Sequence, residues 1–168
     1  MKKVLHFIDI VSEWTGRIFS WMIVVLTLLV VLEVVLRRFF GRPTIWNFEV
    51  TKQLYAFHFM IVSAYALLWK AHVAIDIIYE RLSQKTKAIC DVITYIIFFF
   101  PFLSVWLYQG IKYAARSWAI YETSWSVFGP PLYPIKTVIP VTAFLLLIQG
   151  IAIFIRKLDV VIRGGNSW

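Results

Sequence analysis

Four stretches of the chain are almost free of polar residues: about 18–36, 54–69, 88–109 and 133–155. A helix that crosses the hydrocarbon core needs roughly 20 mostly apolar residues. The first, third and fourth stretches meet that length. The second meets it with Gln53 and Lys70 placed at the two interfaces, the lysine stem reaching outward. The pattern predicts an all-α integral membrane protein with four transmembrane helices, forming a single membrane domain over 1–168. The connecting segments keep a helical period of their own. After the first run, Pro43 suits a helix start, and Trp46, Val50 and Leu54 recur at i, i+4 and i+8 with Asn47, Glu49, Lys52 and Gln53 between them. That is the signature of a short amphipathic helix lying on the membrane surface. Residues 72–82 repeat it, with Ala74, Ile78 and Leu82 on one stripe and Asp76, Glu80 and Arg81 as polar positions. Residues 4–14 predict a third such surface helix at the N-terminus. Gly129-Pro130-Pro131 marks a firm turn before the last helix.

Composition narrows the function classes. Of 168 residues, 61% are hydrophobic and 15% charged, against about 25% charged in soluble domains, and mean hydropathy is +0.77. The first run is followed by Arg37-Arg38-Phe39-Phe40 and by no small-x-small cleavage pattern, so it reads as a retained helix. The net charge of +8 does not point to nucleic acid. The basic residues stand at the edges of apolar runs, where they meet lipid headgroups, and form no clustered basic face. With four spans, ten Lys and Arg fall on the side of the two termini and seven on the other, which predicts both termini in the cytoplasm. Cys90, the only cysteine, has no partner for a disulfide or a thiolate metal site.

The polar residues within the apolar runs are few. Glu33 and Arg37 are spaced to pair on one helix face, which is the bland alternative to a proton or ion relay. His58 reads as a hydrogen-bonded histidine. His72, fourteen residues on, lies roughly 21 Å away along a helix, too far to grip one haem with it. His72 and Asp76, at i and i+4, are two ligands without a third and read as a polar patch at a helix bend. Asp91 stands near the start of the third run, Pro101 and Pro140 lie inside runs, and Gly110 and Gly150 allow close helix approach. No phosphate-binding glycine loop, nucleophile elbow or metal-ligand set is present, so the chain reads as neither an enzyme nor a cofactor carrier.

The succession Arg38-Phe39-Phe40-Gly41-Arg42-Pro43-Thr44-Ile45-Trp46-Asn47-Phe48-Glu49, an apolar helix, then His72-Val73-Ala74-Ile75-Asp76 resembles the DctQ-like small membrane subunits of tripartite ATP-independent periplasmic (TRAP) transporters. Ser124-Trp125, Pro130-Pro131, Tyr133-Pro134-Ile135-Lys136, Ile139-Pro140 and Leu147-Ile148-Gln149 follow in the matching order. The resemblance runs from about Trp21 to Ile155. It departs at Phe48-Glu49, where members often carry two adjacent acidic residues, and at Ser63-Ala64, where a glycine is common. It implies a bacterial inner-membrane protein paired with a large membrane subunit that holds the substrate and sodium sites. A periplasmic solute-binding protein would deliver an organic acid, a carboxylate or sulfonate. Trp46, Glu49, His72 and Asp76 would then be structural or partner-interface residues, beside Glu33 and Arg37. Two other classes compete: a haem-binding membrane anchor of a redox enzyme, and a small self-contained exporter that depends on Glu33.

Overall fold

The computed structural model describes residues 2–69 and 82–162, and these are helical with short connections. The helices are α1 (Lys2–Ser20), α2 (Met22–Phe39), α3 (Asn47–Ile61), α4 (Ser63–Leu68), α5 (Gln84–Thr94), α6 (Phe100–Ala119) and α7 (Tyr133–Ile162). A π-helical turn, Tyr95–Phe99, joins α5 to α6.

The N-terminal helix is not the separate surface helix expected over residues 4–14. α1 continues into α2 after a one-residue break at Trp21, giving a helical rod over Lys3–Phe39. Two halves of this rod behave differently. α1 packs against α3, α4 and α7, whereas α2 packs chiefly against α3. Accordingly α2 hides little beyond a narrow stripe, Met22, Leu26, Leu29, Glu33 and Leu36, with Val35 half-buried beside it, and exposes the rest of its apolar surface. The spacing of that stripe, alternating four and three residues, is the seam for one neighbouring helix.

The surface helix expected after the first run is also absent as a separate unit. The chain turns through Gly41 (φ +61°), where the missing Cβ permits the left-handed backbone. Pro43 does not start a helix; α3 begins at Asn47 and runs on as the lower part of the second apolar run. The reason is tertiary. The Thr44 backbone N–H and hydroxyl both donate to Glu33, which holds residues 43–46 against α2 in a non-helical path. The segment expected to form a surface helix over 72–82, with His72 and Asp76, lies outside the described residues except for its last position.

Among the described residues, three helices are long and apolar enough to cross a membrane: Lys3–Phe39, Gln84–Ala119 and Tyr133–Ile162. The expected second span is the shorter pair α3 and α4, interrupted at Val62. Both breaks, at Trp21 and Val62, lie beside a serine whose hydroxyl takes a helical carbonyl: Ser20 donates to the Arg17 oxygen and Ser63 to the Met60 oxygen. Such back-bonding competes with the backbone ladder and loosens a helix locally. The third and fourth helices extend beyond the apolar runs, to Gln84 and Ala119 and to Ile162.

The π turn has a similar local cause. Pro101 has no N–H, and its ring crowds the carbonyl of the preceding turn. The turn ahead of it is widened by one residue, with the Phe100 N–H reaching back to the Tyr95 oxygen. The wide turn presents Phe99 to Gly150, where an added Cβ would lie 2.1 Å from the ring. Gly110 similarly admits Ile139, and Gly16 admits Tyr65. Small residues bury themselves at these crossings: Ala64, Ala88, Ala143 and Ala152 are all at most 2% exposed. The apolar centre is Ala64, Leu103 and Leu146, wrapped by Leu67, Phe99 and Trp106.

Candidate functional site

The polar side chains gather at the two ends of the bundle. At the first end, the start of α3 meets the connection from α6 to α7. Glu33 sits there with both oxygens engaged: one accepts from the Arg37 guanidinium at 3.2 Å, the other from Thr44. The expected i, i+4 pair forms, and Thr44 is the partner that the spacing did not reveal. Asn47, 2% exposed, donates to the Leu29 carbonyl at 2.9 Å and accepts from Thr51 at 2.8 Å. It thereby ties the start of α3 to the middle of α2.

Glu49 faces inward at 7% exposure, where Lys52 lies 3.3 Å away and the Ser124 hydroxyl donates at 3.3 Å. Gln53 donates to the Pro131 carbonyl. These two contacts dock the 120–132 connection onto α3. Trp46 is 37% exposed and starts α3 without a side-chain cap. Trp46 and Glu49 therefore do different things: the carboxylate binds the neighbouring connection while the indole stays partly open.

The 120–132 connection is rigid. Thr123 and Pro131 form an antiparallel bridge, the Ser124 N–H donates to the Pro130 oxygen, and the Leu132 N–H donates to the Glu122 oxygen. Gly129 supplies the left-handed residue this turn needs (φ +57°). The Lys136 ammonium reaches back to Glu122 at 2.5 Å and lies 4.1 Å from the centre of the Tyr113 ring. That ammonium holds the Glu122 carboxyl below its ordinary range. Trp125 and Val127 at the tip are almost fully exposed, at 103% and 93%.

The second cluster lies toward the other end and was not foreseen. Gln149 is fully buried in α7; it accepts from the Ser12 hydroxyl at 2.8 Å and donates to Asp9 at 3.1 Å. Asp9 also pairs with the Arg156 guanidinium. Nearby Lys157 meets Asp91 at 2.6 Å, joining α5 to α7. The signal available in the sequence was Gln149 within an apolar run, together with Asp9 and Ser12 at i and i+3 on the first helix.

His58 makes the structural hydrogen bond expected of it: Nδ1 lies 3.0 Å from the Phe19 carbonyl. Phe19 also packs edge-on against Phe57, with centroids 5.2 Å apart. His72 and Asp76 lie outside the described residues.

Two grooves run along the outer face between α2 and α3. The upper, of about 610 Å³, is bordered by Arg37 and Arg38, and the lower, of about 450 Å³, is largely apolar. The arrangement is one of carboxylates and amides engaged as intrachain ties, with an open lengthwise surface on α2.

Residues 26–160 match the family model for tripartite ATP-independent periplasmic transporters, DctQ component. No curated protein matches the chain.

Proposed function

The chain belongs to the DctQ family, the small membrane component of tripartite ATP-independent periplasmic transporters, and from that premise we propose that it is a static scaffold for a large transport subunit. Family membership makes it a transporter component and not an enzyme, and displaces the haem-anchor and exporter readings. In the proposed assembly, the large subunit carries the solute and sodium sites. It imports an organic acid, a carboxylate or sulfonate, handed over by a periplasmic binding protein. The complex lies in a bacterial inner membrane with both termini of this chain in the cytoplasm. α3 and α4 together act as the fourth span: their 47–68 stretch measures roughly 33 Å along the axis, enough to cross the ~30 Å core.

The observation that supports a scaffold role is the occupation of the carboxylates. Glu33 is held by Arg37 and Thr44, Glu49 by Lys52 and Ser124, Glu122 by Lys136, and Asp9 by Arg156 and Gln149. Groups spent on fixing helix ends and connections suit a rigid wall better than a translocation path, whose carboxylates must exchange ligands as the cargo moves. Trp46 and Glu49 are proposed to set the α3 end and its docked connection for the partner.

The test is co-purification from native membranes in mild detergent, using a C-terminal tag. One much larger polytopic membrane protein should be recovered in stoichiometric amount. The Trp46→Ala/Glu49→Ala double variant should insert normally but recover less of it. Recovery of the small chain alone, or undiminished recovery by the double variant, would respectively sink the scaffold reading and this role.

A further inference from the structure

We propose that the outer groove between α2 and α3 is a binding site for one anionic phospholipid, with its phosphate at Arg37 and Arg38 and an acyl chain lying along Val30, Leu26 and Ile23. The upper and lower grooves share Val30, Phe48 and Thr51, so they form one continuous channel. From Arg38 to Ile23 the channel follows fifteen residues of α2, or roughly 22 Å. That exceeds the ~15 Å half-thickness of the hydrocarbon core, so the channel can accept the full depth of one leaflet's chains.

The channel changes character along its length as a phospholipid does. Its lower wall is Ile23, Leu26, Val30 and Val31 on α2, with Tyr55 and Phe48 on α3. Its upper rim carries two guanidinium groups. Arg37 has one nitrogen on Glu33, is 69% exposed, and keeps further N–H donors for another acceptor. Arg38 makes no ion pair or hydrogen bond among the described residues. Guanidinium groups bind phosphate through paired N–H donors, and at this rim two of them outnumber the one carboxylate, Glu33. The second oxygen of Glu33 is turned to Thr44. Lys52, which borders the lower groove, is already paired with Glu49.

A carboxylate side chain also complements two guanidinium groups, but a phospholipid adds an acyl chain that follows the roughly 22 Å apolar channel beneath them, and this selects lipid over a protein side chain as the occupant. The cations stand at the end of the most apolar helix, where headgroups lie, and the channel beneath them is open along its length.

The test is native mass spectrometry of the full chain in detergent, with added phosphatidylglycerol or phosphatidylcholine. One phosphatidylglycerol per chain should persist, at about tenfold preference over phosphatidylcholine: both lipids offer a phosphate, but phosphatidylcholine also brings a quaternary ammonium against the two guanidinium groups. Arg38→Gln removes a side chain that the fold does not use and should abolish that preference. Val30→Trp fills the shared part of the channel and should lower retention of both lipids. Arg116→Gln, on α6, should change neither. Equal retention by Arg38→Gln, or displacement of the lipid by free inorganic phosphate, would overturn the site. In native membranes, a benzophenone side chain at position 30 should capture lipid. Capture of a polypeptide there would show that a partner protein, and not lipid, covers the channel.

Discussion

Gln149 offers the sharpest test of how the N-terminal helix is held. It is fully buried and joins α7 to α1 by accepting from Ser12 at 2.8 Å and donating to Asp9 at 3.1 Å. Gln149→Leu keeps the volume and removes both bonds. Interhelical hydrogen bonds in membrane proteins contribute on average about 0.6 kcal/mol each and at most about 1.7. Two of them amount to about 1.2 kcal/mol, to which the stranded Ser12 hydroxyl adds up to about 1 kcal/mol. Ser12 can recover part of this by turning to a carbonyl of its own helix, and leucine is the more lipid-compatible residue, so the single variant underreports the bond. The thermodynamic cycle with Ser12→Ala avoids both difficulties. Reversible unfolding in mixed SDS micelles should give a Ser12–Gln149 coupling of about 0.6–1.7 kcal/mol. The α1–α7 contact should also loosen selectively, with faster amide exchange in α1 than in α6. Additivity of the two single variants would refute the argument and leave α1 held by the Asp9–Arg156 pair and apolar packing.

Other perturbations probe different parts of the fold. Gly150→Ala sets a methyl 2.1 Å from the Phe99 ring; it should destabilise the chain by about 1–3 kcal/mol in the same unfolding assay, with Phe99→Leu restoring part of the loss. Glu33→Gln should leave transport by the reconstituted complex unchanged. Glu33→Ala frees the 40–46 connection and should speed chymotrypsin cleavage after Phe40 by roughly threefold, as expected when a local tie is lost. Glu122 has a folded-state pKa below its ordinary 4.5, owing chiefly to the hydrogen bond from Lys136. Its contribution is therefore present above pH 4.5 and lost as pH falls through the lower folded value. Amide exchange in the 120–132 connection, once corrected for its intrinsic pH dependence, should rise only in that acid range, and Glu122→Gln should remove the step.

The apolar runs were legible because membrane helices declare themselves by length and hydropathy, which need no knowledge of neighbours. The Glu33–Arg37 pair was legible for the same local reason: i, i+4 spacing alone brings the two side chains together. What depended on distant residues was not. The polar face of α1 looks the same in sequence whether it meets headgroups or another helix, and Asp9 and Ser12 resolve that ambiguity only through Gln149 and Arg156, some 140 positions away. Pro43 carried a plausible helix start, but Thr44 spends its donors on Glu33 and delays the helix to Asn47. The widened turn before Pro101 was foreseen only as a kink, because widening the ladder by one residue is one of several ways to relieve a proline.

The pairing of Ser12 with Gln149 also sets the helices at unequal heights. Measured from that contact, the apolar run of the first rod begins six residues higher, at Ile18, while that of α7 continues six residues lower, to Ile155. At 1.5 Å per residue, the lower edges of the two bands are offset by roughly 18 Å. At the other end, Leu36 stands about 12 Å above Tyr133 by the same measure. A flat hydrocarbon layer about 30 Å thick cannot cover both bands if the helices stand upright. Either the bundle leans or the bilayer thins and rises around it, and each response carries an elastic cost that depends on lipid chain length. The hydrogen bond inside the protein thus fixes the offset between its two apolar bands, and membrane thickness becomes a variable that acts on the tilt of the bundle.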